Sequence, residues 1–247
     1  FAVTATGLAV FVESPAVFDL RALVFNGRRR RRPTPFAWDP RRGTSLHVVD
    51  VTQRQNVRTF RCEENFFLFH CVNAFQQQDK LYVDVCAFDD TAVLEGLTLQ
   101  NMRDAAFDVP RSRIARLTAD LDPHASSSSI VAERLDDSAG SGDFAEFGHV
   151  NDAFEGKPYR YVYALGATRP TSTANVVTKT DVLTKTTRRF QTQRSYAAYG
   201  EPIFVPRPDA LQEDDGVVLA IGHTVDGEAH LLVFDAQALQ ELARAVV

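Results

Sequence analysis

Phe66-Phe67-Leu68-Phe69-His70-Cys71-Val72-Asn73-Ala74-Phe75 sets one histidine inside a long apolar and aromatic run. Its period-2 pattern predicts a strand over 66–73, with His70 on one face beside Leu68 and Val72, and Phe69, Cys71 and Asn73 on the other. A neutral imidazole in such surroundings is either a hydrogen-bonded core histidine or a metal ligand. Composition alone leaves both readings open.

Similar short runs recur outward in both directions, at 7–13, 46–51, 81–88, 113–121, 159–165, 202–206, 216–221 and 231–234. Turn chemistry separates most of them: Asn26-Gly27, Asp39-Pro40 with Gly43, Asp89-Asp90, the serine tract 126–129 and Asp214-Asp215-Gly216. Many short strands joined by close turns predict an all-β barrel, sandwich or propeller. Residues 91–106 break the rhythm, with Val93, Leu94, Leu97 and Met102 at roughly helical spacing, and read as one helix. A weaker helical turn is expected over 236–242. Residues 136–143, rich in Ser, Gly and Asp, read as a surface loop, and no domain boundary is expected within 1–247.

The chain has 247 residues, 45% hydrophobic and 24% charged, with a formal net charge of -5. That length buries a sizeable core without disulfides. No apolar run exceeds five residues, far below the roughly 18–20 needed to cross a bilayer. Cys62, Cys71 and Cys86 are too few and too widely spaced for a disulfide framework or a thiolate zinc site, which favours a reducing, cytoplasmic setting. Net negative charge excludes the usual footprint of a nucleic-acid binder. One local exception is the run Arg28, Arg29, Arg30, Arg31, Arg32 after Leu23, Val24 and Phe25. It reads as a solvated loop or as a peripheral membrane contact, with apolar residues in the interface and arginines on anionic headgroups.

The six histidines, His47, His70, His124, His149, His223 and His230, never lie three or four residues apart, so a helical zinc pair is excluded. Apart from His70 they sit beside polar or turn residues and read as mostly surface positions. Nucleophile elbows, phosphate loops and dinucleotide-binding glycine patterns are likewise missing from the sequence. Glu213, in the segment leading to the Asp214-Asp215-Gly216 turn, reads as an exposed carboxylate without a role.

At Phe69-His70-Cys71-Val72-Asn73-Ala74-Phe75 the sequence resembles the Phe-His-x-x-Asn-Ala-aromatic motif of the carotenoid cleavage oxygenases. Further segments agree in order: Phe1-Ala2-Val3-Thr4, Trp38-Asp39-Pro40 with Gly43-Thr44, the long stretch Gly200-Glu201-Pro202-Ile203-Phe204-Val205-Pro206-Arg207-Pro208, and Leu231-Leu232-Val233-Phe234-Asp235-Ala236. The resemblance implies a seven-bladed β-propeller with a few short helices, present here as a part. It also implies one non-haem Fe(II) on the axis, held by four histidines, where O2 meets a lipophilic carotenoid-type substrate. The implied reaction cleaves a conjugated C=C bond to aldehyde or ketone products. The same scaffold would also serve stilbene or lignin-olefin cleavage, retinoid isomerisation, or a propeller-derived binding module without metal.

By the resemblance His70 is a metal ligand, and the other three ligand positions fall outside these 247 residues. Glu146, in Glu146-Phe147-Gly148-His149-Val150-Asn151, matches the glutamate that orients the histidine at position 70, and Glu201 matches one that orients another ligand. Two departures are visible: Gln76-Gln77-Gln78 stand where acidic residues are usual, and Thr4-Ala5-Thr6-Gly7 replaces Thr-Glu-Asn-Tyr.

Overall fold

Four antiparallel sheets, stacked side by side, account for nearly all the strands of the computed structural model. It describes residues 1–20, 34–104, 106–125, 129–136 and 144–247, without the side chains of 56 and 57. The first sheet runs Ala2–Val3, Leu8–Glu13, Ser45–Asp50 and Gln55–Cys62, with Ser129–Ile130 added in parallel at its edge. Cys71–Gln77, Lys80–Phe88, Ser112–Asp120 and Ala132–Arg134 form the second. The third consists of Glu146–His149, Tyr161–Gly166, Val176–Asp181 and Thr186–Arg189. In the fourth, Ala198–Tyr199 and Ile203–Pro206 share the edge of Gly216–His223, followed by Ala229–Asp235 and Gln240–Val246. This is the all-β propeller architecture expected from the sequence, each sheet a blade-like up-and-down meander.

Burial explains why the second sheet reads most clearly. Lys80–Phe88 is almost continuously apolar because both its faces are covered. Val83 and Val85 pack with Val10, Leu46 and Phe60 of the first sheet, while Cys86 packs with Val150, Val162 and Ala164 of the third. A third core, between the third and fourth sheets, contains Tyr163, Val177, Phe204, Val218 and Phe234. Each such buried side chain contributes about 1.5–3 kcal/mol.

Several expectations need correction. The strand after the aromatic run starts at Cys71, so His70 lies just before it, and Phe67 makes only an isolated bridge to Phe88. Val72 faces the third sheet while Leu68 packs toward the first, so the shared face expected for Leu68, His70 and Val72 does not form. In place of one helix over 91–106 there are two short ones, Ala92–Gly96 and Leu99–Met102. They are interrupted where Thr98 caps the second by accepting from Asn101 N. Residues 236–242 are not helical: Leu239, at φ 60, closes a turn into the strand Gln240–Val246. His230 is 4% exposed rather than on the surface. Asp136, expected at the start of a surface loop, is buried and accepts from Ile114 N. Residues 137–143 lie outside the described residues, as do Leu23, Val24, Phe25 and the arginine run Arg28, Arg29 and Arg30, with Arg31 and Arg32. Among the described residues, no helix is long and apolar enough to cross a membrane.

Candidate metal centre

The third sheet's first strand carries a β-bulge between Glu146 and His149, with Phe147 in the left-handed region at φ 53. Regular alternation would send Glu146 and Phe147 to opposite faces. The bulge re-aims the chain so that both meet His70. Glu146 Oε2 lies 2.5 Å from His70 Nδ1, and the Phe147 ring lies 4.5 Å from the imidazole, tilted by 34°. At Gly148 an added Cβ would come within 2.7 Å of Val72, so the close approach of the two sheets beside the bulge needs a glycine.

His70 and Glu146, 76 residues apart, thus form a single unit. Glu146 is 5% exposed, while the His70 side chain is 40% exposed. Burial raises the Glu146 carboxyl above its ordinary range, and the bond to His70 pulls it back. That bond raises His70 in turn, against its own burial, and the charge of Glu201 adds to the rise. With Nδ1 engaged by the carboxylate, Nε2 is the ring nitrogen left to bind something else. Glu146 Oε1 is buried without a hydrogen-bond partner among the described residues.

His70 and Glu146 stand on the wall of a cavity of about 350 Å³. The aromatic side of that cavity is built by Phe69, Phe88, Phe144, Phe147 and Tyr199, while Val93, Leu97 and Met102 close it from the two short helices. Phe69 packs edge-on to Phe67 and Phe88, which fixes the aromatic wall beside His70. The walls are otherwise apolar, apart from Ser172 and Thr173, so the cavity suits a long apolar ligand with one reactive point at the imidazole.

Glu201 stands between Ala198–Tyr199 and Ile203–Pro206, with its side chain exposed, and acts on His70 only through space. The amino group of Phe1 also acts on His70 and on Cys71, so the strand Ala2–Val3 runs beside the same site. Among the described residues, no group of three or more His, Cys, Asp or Glu side chains is placed to hold a metal. All three cysteines are free thiols. Phe147 and the helical residues Val93, Leu97 and Met102 were not singled out as site residues from the sequence. Phe147's place next to Glu146 was the one available signal; its left-handed backbone has none.

The sequence profile of the Retinal pigment epithelial membrane protein family matches residues 1–247. Carotenoid cleavage dioxygenase 8, chloroplastic, of Arabidopsis thaliana is 31% identical over 258 residues, covering 99% of this chain and 43% of that protein. Human beta,beta-carotene 15,15'-dioxygenase is 30% identical over 262 residues, covering 96% of this chain and 46% of that one. The chain therefore spans about half the length of the curated relatives it matches. Among solved structures, a mutant of Synechocystis apocarotenoid oxygenase superposes with a TM-score of 0.78 at 23% identity, over 100% of this chain and 49% of that one. Motifs, blade-like sheets and the full-length profile match agree: the chain belongs to the carotenoid cleavage oxygenase family, the family of the retinal pigment epithelial membrane protein.

Proposed function

We propose that residues 1–247 form one domain, part of a non-haem Fe(II)-dependent dioxygenase that cleaves a conjugated C=C bond of a carotenoid or apocarotenoid to two carbonyl products. The observation that carries this reading is the His70–Glu146 pair at 2.5 Å on the wall of an aromatic cavity. The names of the relatives at about 30% identity support the substrate class.

His70 would be one iron ligand. Its donor chemistry fits: a carboxylate accepting from Nδ1–H fixes the tautomer, keeps the Nε2 lone pair for the metal and raises its basicity. Neutral imidazole suits Fe(II) and leaves coordination positions for O2. This chain supplies one such donor. The resemblance sets another two residues ahead of the position of Phe1, on the segment that runs beside His70, and Glu201 would orient a further one. Bound iron would supply the activation of O2. The chain's own residues do the rest: the aromatic wall takes up the polyene, the helices Ala92–Gly96 and Leu99–Met102 exclude water from it, and Glu146 holds the Nδ1 proton. Free thiols are consistent with a reducing, cytoplasmic location.

The test is product analysis. The natural protein carrying this sequence, loaded with Fe(II), is offered carotenoids, apocarotenoids, retinoids and stilbenes under oxygen-18-labelled O2. Labelled carbonyl fragments from a carotenoid-type polyene are expected. Cleavage of stilbenes alone would redirect the substrate, isomerisation of a retinoid without label would redirect the reaction, and failure to turn over any of them would contradict the enzymatic reading.

A further inference from the structure

His70 and Glu146 belong to different sheets, so no ladder of backbone hydrogen bonds fixes one against the other. The apolar core between those sheets is non-directional and would permit a slide along the strands. A bond of 2.5 Å with one ring nitrogen does not survive such a slide. Something directional must set the register.

Asn73, three residues past His70, provides it. It is 2% exposed and sits where the register of its strand shifts, between Cys71 and Asn73. Its Oδ1 accepts from Ala74 N at 2.9 Å on its own strand and from Gly156 N at 2.9 Å. Its Nδ2 donates to Phe154 O and Lys157 O, both at 3.1 Å. Both acceptor positions and both donors of the amide are therefore used. Three of these bonds go to the loop directly behind the strand that carries Glu146, and that loop is itself closed by Asn151 accepting from Ala153 N. Gly156, at φ 74, then accepts from Ala5 N at 3.0 Å, and an added Cβ there would lie 2.6 Å from that nitrogen. One amide thus ties together the strand after His70, the loop after Glu146 and, through Gly156, the segment that begins at Phe1.

We propose that Asn73, acting through Gly156, is the positioning residue that holds the His70–Glu146 pair in register across two sheets. The inference rests on the proposed function only in reading that pair as the metal site; the register itself is measured without metal.

The experiment uses the natural protein carrying this sequence, prepared iron-free with nitrogen-15-labelled histidine. The His70 Nδ1–H resonance, assigned by its loss in His70→Gln, reports the bond to Glu146. Asn73→Ala removes the clamp, and Gly156→Ala disturbs it from the far end while leaving Asn73 intact. Tyr159→Phe is the control, because it deletes a buried hydrogen bond, Tyr159 Oη to Asp84 at 2.5 Å, that also joins the second strand system to the third but lies elsewhere. Expected are a slowly exchanging resonance in wild type and Tyr159→Phe, and its loss or at least about tenfold faster exchange in both clamp variants. Iron affinity should then fall at least about tenfold in the clamp variants and not in the control. Wild-type exchange in both clamp variants would overturn the proposal. So would equal loss in Tyr159→Phe, which would mark a general loss of stability. If Asn73→Ala does not fold, Gly156→Ala decides alone. Unchanged iron in His70→Ala would remove the metal reading and leave the clamp standing.

Discussion

Two polar clusters lie between the second and third sheets, and they are built in opposite ways. Around Asp84, which is fully buried, Arg116 donates from Nε at 2.8 Å and from a terminal nitrogen at 2.7 Å, and Tyr159 donates at 2.5 Å. The guanidinium is further packed over the rings of Phe75 and Tyr82. Every strong hydrogen-bonding capacity there is used, as a buried charge requires if it is to persist. Around Glu146, one carboxylate oxygen is taken by His70, the other has no partner among the described residues, and the imidazole faces a cavity. A saturated buried cluster holds sheets together; an unsaturated one on a cavity wall is organised for something that binds.

The largest effect that would break this contrast lies in the saturated cluster. Asp84→Ala leaves Arg116 buried without its counter-ion and should cost about 3–5 kcal/mol in urea denaturation, with iron bound per folded molecule unchanged. Glu146→Gln should do the converse. Iron affinity or turnover should fall about 10–100-fold, while stability changes by about 1 kcal/mol. Should Glu146→Gln unfold the protein and spare iron, the two clusters would have to exchange roles.

A finer contrast separates two glutamates of one segment. Glu213 accepts from Arg160 N at 2.8 Å and from Tyr161 N at 2.7 Å, and its backbone oxygen accepts from Asn151 Nδ2 at 2.9 Å. Glu213→Gln should therefore lower stability by about 1 kcal/mol and leave iron binding alone. Exposed Glu201, as Gln, should change stability by less than about 0.5 kcal/mol yet reduce iron affinity about tenfold or more. Thermal melts and iron titrations on both variants check the crossing pattern.

The smallest effect is a pH dependence. Burial pushes the Asp136 carboxyl up to about 6, against the bond from Ile114 N and the nearby Arg134 guanidinium. A folded-state value above the unfolded one means that this group's contribution is fully present below about 4 and lost as pH rises through about 6. Urea midpoints of the iron-free protein across that window should fall less steeply in Asp136→Asn.

How much of this was legible in sequence depends on what each residue faces. Residues 81–88, 113–121 and 216–221 read as strands because the apolar faces of Lys80–Phe88, Ser112–Asp120 and Gly216–His223 are buried. Gln55–Cys62, Thr186–Arg189 and Gln240–Val246 carry charged or polar residues along their length and escaped. His230 shares the buried face of its strand with Leu232 and Phe234, an alternation that was there to be read. Glu213 was expected to be idle because only its carboxylate's distant backbone partners reveal its role. The pairing of His70 with Glu146 spans two sheets and no local pattern encodes it; the family motifs supplied it, and the left-handed Phe147 beside it came from the structure alone.

The most direct test of the metal reading is the iron content of the natural protein carrying this sequence, purified anaerobically with Fe(II), beside His70→Ala. About one iron per molecule in the wild type, and its loss from a variant that still folds, is the predicted result, since removing one imidazole leaves a weaker and more open site. Equal iron in both would contradict the assignment of His70 as a ligand.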